Sequence, residues 1–425
     1  PTNWAKKSIN GSASLYWSVA EVVGAYTVNP VLSEAHIDRR GPHDDYDVVV
    51  EVTKTGTLGA GEFRYSLDSG RGWSDELVIP SGGTYAVPST GITLTFVPGA
   101  GTPYFEDGDK HVFTCTAPHF ESTALSAAIT AIAAAADQWD FIVFSGAPAD
   151  ASTAATLFSA IATHMATLEA AFRFGGAIVD CGSRDTDANV KSSFASVSDD
   201  RLAAAHLRSR IVTSKAFTGW TKPLLPGMAI MGARSAALPF SADLKRVVAG
   251  ELPAVSEPQH DEAQATTTLD GSRLTTLRTW VGYAGVYFFQ ARMKSSPTSD
   301  FRLWPHRRVM DRACRIVYER QVAFTGANPR TNTNASIPAG QAGAPGTLFA
   351  GDAVGYEAPV KRALRAALTQ PVNADGNPGH VSGLSYALDL TTDIASTKAF
   401  KSNLKMVPLA YIDDVNTTLS YAFSL

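Results

Sequence analysis

Residues 139–183 read WDFIVFSGAPADASTAATLFSAIATHMATLEAAFRFGGAIVDCGS. The opening WDFIVFSG is a compact apolar run of strand length, and the alanine- and leucine-rich segment after it has helix propensity, with Asp150 or Ser152 placed to cap its first turn. GGAIVDCGS is a second apolar run of strand length. Strand, helix, strand in that order predicts parallel pairing through a right-handed crossover. The preceding ESTALSAAITAIAAAADQW adds another alanine-rich helix, so residues 119–255 read as an α/β layer domain.

Upstream, residues 47–118 carry short alternating runs (YDVVVEV, GEFRYSL, DELVI, GTYAV, GITLTFV, KHVFTCTAP) bounded by Gly, Pro, Asp or Ser, which predicts a small antiparallel β-domain. Residues 1–46 sustain neither a period of two nor one of 3.6 and read as an extended arm or lead-in. Downstream, GVYFFQARM from Gly285 is strand-like, and DFRLWPHRRVMDRACRIVYERQVAF (300–324) follows with six arginines. There Val309, Met310, Ala313, Ile316 and Val317 form one apolar stripe at helical spacing, with Arg308, Asp311, Arg312, Arg315 and Glu319 around the rest. The spacing predicts a surface helix starting near Trp304 and Pro305. A flexible GANPRTNTNASIPAGQAGAPG, a short helix YEAPVKRALRAALTQ and alternating strands to the end complete a core domain (256–400) and a C-terminal strand arm (401–425). The fold class expected is α+β and multi-domain: α/β core domains, an inserted small antiparallel β-domain and extended terminal arms.

Bulk composition bounds the function. With 425 residues and 45% hydrophobic content the chain can bury a sizeable core. Lys and Arg total 36 against 40 acidic residues, which removes the electrostatic footprint of a general nucleic-acid binder. Three widely spaced cysteines, Cys115, Cys181 and Cys314, fit neither a disulfide framework nor a C-x-x-C zinc site, and point to a reducing place of synthesis. The longest largely apolar stretch, Ala124 to Ala136, is too short to span a bilayer, and no signal-peptide order is expected at the start. Pro1-Thr2 would be natural after removal of an initiator methionine.

Each candidate for chemistry meets a plainer reading. The arginines of 302–320 suit phosphate, but Asp311 to Arg315 and Arg315 to Glu319 are i,i+4 pairs, the ordinary arrangement of a solvated or interface helix. His43, Asp44, Asp45 and His260, Asp261, Glu262 are runs of neighbours that point in different directions, so neither is expected to gather ligands on one face. Asp180 ends a strand where α/β enzymes place catalytic groups, yet a turn and helix cap explain it. GAGEFR (59–64) lies inside the β-domain, and neither a G-x-x-x-x-G-K-[ST] nor a G-x-S-x-G occurs.

Several segments together resemble the tail sheath proteins of contractile phage tails and related injection systems. YSLDSGRGWSDELVIPSGGTYAVPSTGITLTFVPGAG and FEDGDKHVFTCTAP look like a module of one group of these sheaths, whose D-G-G-x-x-W turn is matched by Asp68, Gly70 and Trp73 in DSGRGW. WDFIVFSG and GARSAALPFSADLKRVVAGELPAV resemble segments leading to the sheath core. LTTLRTWVGYAGVYFFQARMKSSPTSDFRLWPHRRVMDRACRIVYE (274–319) looks like the family's core strand, G-S-D-Y/F turn and R-V-M-D-x-A helix, with Thr298 where that turn has its glycine. The resemblance covers roughly residues 47–425 and brings no catalytic residue and no cofactor or metal.

What the resemblance implies is assembly: stacked hexameric rings form a helical sleeve around an inner tube, and the sleeve shortens to drive the tube through a target envelope. The expected partners are further copies of the chain through exchanged terminal arms, the tail tube protein, and baseplate and tail terminator proteins. Sequence-specific nucleic acid and membrane insertion are not expected. The expected location is a virion tail or contractile particle assembled in the bacterial host cytoplasm. LKMVPLAYIDDVNTTLSYAFSL would add as a strand pair to a neighbour, or pair within its own domain. Arg308, Asp311, Arg312, Arg315 and Glu319 would form an inter-subunit or tube contact. Two other readings stand beside this one: a soluble α/β hydrolase using Asp180 or the His260 region, and an adhesive module binding glycans through Trp73 and Tyr85.

Overall fold

The computed structural model describes the chain except residues 1–3, 10–12, 19–21, 24–45, 98–104, 116–118, 121, 136–137, 145–147, 149, 183–184, 212–223, 254, 373–375, 377–378 and 412–425. Helices and several small sheets are mixed in an α+β arrangement that divides into two compact units. Unit 1 comprises Pro1–Leu238 and Leu244–Arg307, and unit 2 comprises Pro239–Asp243 and Arg308–Leu425.

Unit 1 opens with an antiparallel hairpin of β1 (Trp4–Ile9) and β2 (Ala13–Ser18), with Ile9 opposite Ala13. Apolar periodicity gives no strand here, yet the sequence between them holds Asn10-Gly11, a dipeptide that hairpin loops favour. After β3 (Val22–Val23) come β4 (Tyr46–Lys54), β5 (Glu62–Ser66), β6 (Leu77–Val78), β7 (Thr84–Val87), β8 (Ile92–Thr95) and β9 (Lys110–Cys115). They form an antiparallel sheet in the order β6-β5-β4-β9 and a β7-β8 hairpin. Alternation along β4 turns Val48, Val50 and Val52 inward, where they join Phe63, Tyr65, Leu94 and Phe96 in one core.

β10 (His119–Phe120) pairs with β3, and then α1 (Ser122–Ala134), β11 (Phe141–Phe144), α2 (Ala151–Ala170), β12 (Gly176–Asp180), α3 (Asp187–Ser193) and β13 (Leu202–Ala205) build a parallel sheet in the order β11-β12-β13. Asp150 caps α2 by accepting from the Thr153 N–H at 2.7 Å. Both faces of the sheet are covered. Ala177 and Val179 face α2 with Phe158, Ile161 and Leu168, while Ile178 faces Met228, Met231 and Trp304. Gly176 is required at that second face, because a Cβ there would lie 2.8 Å from the Trp304 ring.

β14 (Ser209–Ile211), β15 (Leu224–Leu225), α4 (Gly227–Ala237) and β16 (Val255–Pro258) follow, with β15-β14-β16 antiparallel. β17 (Thr276–Arg278) and β18 (Tyr287–Gln290) form a hairpin. Helix α5 (Trp304–Val322) begins where Pro305 suits a first turn, and Trp304 donates through Nε1 to Ser235 Oγ at 3.0 Å. The boundary between the units falls within α5, after Arg307.

In unit 2, the apolar stripe of α5 (Val309, Ala313, Ile316, Val317) shares a core with Val360 and Leu364 of α6 (Ala350–Leu364) and with Val381, Tyr386 and Leu388 of β19 (Val381–Leu388). α6 runs through Pro359 and ends in a π turn at Arg365–Thr369. α7 (Ile394–Thr397) then leads to β20 (Ser402–Pro408), antiparallel to β19. The glycine-rich stretch expected to be flexible is held at its end by Asn332, whose Nδ2 donates to Thr347 Oγ1 at 3.0 Å and to the Leu348 carbonyl at 3.0 Å.

Candidate functional site

The residues that first invite an enzymatic reading are spent on structure. Asp180, at the end of β12, accepts the Met228 N–H through Oδ1 at 2.7 Å and so fixes the start of α4. The approach is close enough that a Cβ on Gly227 would meet that oxygen at 2.9 Å. Next to it the Cys181 thiol is fully enclosed, and burial pushes its pKa well up, away from thiolate chemistry. Tyr85 packs against Phe63 and Tyr65, and the Arg64 guanidinium lies over the Trp73 ring at 4.4 Å. The His43, Asp44, Asp45 run lies outside the described residues.

The second histidine run needs correction. His260 and Glu262 converge, because residues i and i+2 of an extended segment share a side, while Asp261 turns to the Thr279 hydroxyl at 2.6 Å. His260 Nδ1 lies 2.8 Å from Asp187 Oδ2, His260 Nε2 hydrogen-bonds Glu262, and His206 Nε2 lies 3.1 Å from Asp187 Oδ1. Asp187 and His206 arrive from other elements, at no local spacing from His260. Burial opposes charge on His260, but the hydrogen bonds to Glu262 and Asp187 outweigh it and raise its pKa. Burial likewise acts against ionised Asp187 and Glu262, and their histidine hydrogen bonds overcome it and lower both. Among the described residues no group of three or more His, Cys, Asp or Glu is arranged to hold a metal ion.

Among the described residues of unit 2, a nucleophile and a base stand at hydrogen-bond distance, Ser241 Oγ and His380 Nδ1 at 2.7 Å. Ser241 is 1% exposed, its carbonyl accepts from the Tyr411 hydroxyl at 2.8 Å, and Phe240 stacks on the imidazole. Both side chains are buried, and the pair reads as an anchor.

The five charged residues singled out on α5 separate. Arg308, Asp311 and Arg315 are buried, with Arg315 Nε donating to the Asp311 carbonyl at 3.4 Å, whereas Arg312 and Glu319 are exposed. The helix is therefore far less of a surface helix than its charge suggests. β19 and β20 pair only with each other among the described residues, and of their outward positions Ser382, Ser385, Ala387, Asn403 and Lys405 are small or polar while Val407 is an exposed apolar side chain. Gln321 at the end of α5 donates to Tyr386 Oη and to Ser402 Oγ, each at 2.9 Å, and so ties both strands to the helix. A sheet of two strands has two edges at which a further strand can add, although on β19 the Leu388 N–H is already taken by Glu357 Oε1 at 2.8 Å. Residues 412–425, the rest of the expected C-terminal strand pair, lie outside the described residues.

No family model and no curated protein matches the chain. Among solved structures it is similar to a protein of the anti-feeding prophage baseplate, with 11% identity over 73% of this chain and 76% of that one and a TM-score of 0.45. It is similar to a protein of the PVC extracellular contractile injection system sheath complex in its contracted state, with 12% identity over 74% and 77% and a TM-score of 0.45. It is also similar to the sheath tail protein of Desulfitobacterium hafniense, with 9% identity over 91% and 82% and a TM-score of 0.38. At these scores the likeness carries no functional argument, which rests on the residues themselves.

Proposed function

We propose that the chain is a structural sheath subunit that stacks as hexameric rings around an inner tube and shortens to drive the tube through a target envelope. The observation that carries this reading is residues 274–319. That segment has the most specific family resemblance, which implies a core strand, a turn and a helix, and it contains strand β18, a turn closed by the Ser299 N–H on the Ser296 carbonyl at 3.0 Å, and α5. The domain edges at 46/47, 118/119, 255/256 and 400/401 belong to the same reading, with the β-domain on the outside of the particle.

Arm exchange would proceed by adding a neighbour's strand to the two-stranded β19-β20 sheet, whose main-chain bonds would persist while subunits rotate. The exposed pair Arg312 and Glu319 is the part of the α5 charge set available to a neighbouring ring or to the tube protein; Arg308, Asp311 and Arg315 would act behind it, fixing the helix. Contraction needs two packings of the same subunits, the extended one metastable, so the work is stored during assembly. Baseplate and terminator proteins would close the two ends.

Removal of residues 412–425 is the test. In sedimentation velocity the full chain should grow into large species with concentration, while the truncated chain stays folded and small. Equal growth of the two would remove arm exchange from the account.

A further inference from the structure

His260 is enclosed, and both of its ring nitrogens face carboxylates: Nδ1 faces Asp187 and Nε2 faces Glu262. A neutral imidazole carries one N–H, so it can donate to only one of them and must turn a lone pair on the other. The arrangement is complete only when the ring is an imidazolium. Among the described residues, the charged or titratable groups facing it are Asp187 at the start of α3, Glu262 on its own segment and His206 after β13, whose ring is 5.8 Å from that of His260.

Glu262 has a second task. Its Oε1 accepts the backbone N–H groups of Leu269 and Asp270, each at 3.0 Å. One carboxylate thus stands at the start of the loop 263–268 and also grips its end, and Ala263, Gln264, Thr266 and Thr268 of that loop are exposed. Asp261 holds the start of the loop, accepting the N–H groups of Ala263, Gln264 and Ala265, and Glu262 holds its end.

We propose that His260, clasped between Asp187 and Glu262, is a proton-dependent fastening that fixes the surface loop 263–268 to the α/β layer and releases it when the imidazolium loses its proton. The inference is independent of the sheath reading. Its direction follows from linkage: a raised histidine pKa gives stability that is present below the unfolded value and lost as pH rises through the folded one. The lowered carboxylates set the acid limit, since their share is lost as pH falls through their folded values.

The test is hydrogen–deuterium exchange of the full chain from about pH 6 to about pH 9, corrected for the chemical rate, read in peptides covering 263–272. Exchange should rise by about tenfold or more, because a charge-assisted bond is lost, with a midpoint above the ordinary histidine value of 6.5. In Glu262→Gln, whose amide oxygen still accepts from Leu269 and Asp270, the midpoint should fall by about one pH unit or more. Asp187→Asn should do the same and serves if the first variant does not fold. Corrected exchange that stays flat with pH in the wild type, or a midpoint unmoved in the folded variants, overturns the proposal.

Discussion

Replacing Lys294 by methionine is expected to stabilise unit 1 near neutral pH. The side chain is fully buried, and its Nζ donates to the Ser272 carbonyl at 2.5 Å. Burial, with the Arg273 charge adding to it, lowers the ammonium pKa from 10.5 to about 8. At 1.36 kcal/mol per pH unit, that displacement costs the folded protein roughly 3 kcal/mol at pH 7. Methionine fills a similar volume without the charge and forfeits one charge-assisted hydrogen bond of about 1.5–3 kcal/mol, so Lys294→Met should gain up to about 1.5 kcal/mol. Between the folded and unfolded pKa values the unfolded chain binds more protons than the folded one, so wild-type stability rises with pH from 8 toward 10.5 and the advantage of methionine shrinks. All seven tryptophans, at 4, 17, 73, 139, 220, 280 and 304, lie in unit 1, so tryptophan fluorescence during urea unfolding reports on this unit. A variant less stable than wild type at neutral pH, or an advantage that stays constant into the alkaline range, would refute the reasoning.

Other outcomes are equally definite. Trp304→Ala removes a fully buried ring and its bond to Ser235, and should cost about 3–5 kcal/mol in the same urea assay. Asp180→Ala strips the cap from the Met228 N–H and leaves it unsatisfied in a buried place, a loss of about 1–3 kcal/mol by the same measurement. Gly355→Ala, on the exposed side of α6 where a Cβ meets nothing within 4 Å, should raise unit 2 stability by up to about 1 kcal/mol in hydrogen exchange. Arg312→Glu changes an exposed charge and should leave the circular dichroism melt unaltered while impairing sleeve formation; normal sleeves would remove Arg312 from the contact.

Much of the secondary structure was legible because local signals and burial agree. The period of two along β4, the Asp150 cap on α2, the unbroken apolar run of β12 and the start of α5 at Trp304 all stand where the pattern puts them. The β1-β2 hairpin escaped notice because its residues carry no clean alternation and only Asn10-Gly11 marks a turn. Charge misled on α5: arginine and aspartate look solvated in a one-dimensional pattern, yet Arg308, Asp311 and Arg315 are enclosed by the tertiary fold. The His260 cluster was illegible for a different reason. Two of its four members come from α3 and from the segment after β13, and a distance of 73 residues between Asp187 and His260 leaves no local spacing to read.

The central claim is that copies of this chain build a hollow sleeve, and negative-stain electron microscopy of the purified, concentrated protein tests it most directly. The account predicts hollow tubes of uniform width, with six copies per ring in end-on views. Small discrete particles at every concentration, even with a tail tube protein supplied as nucleus, would contradict it.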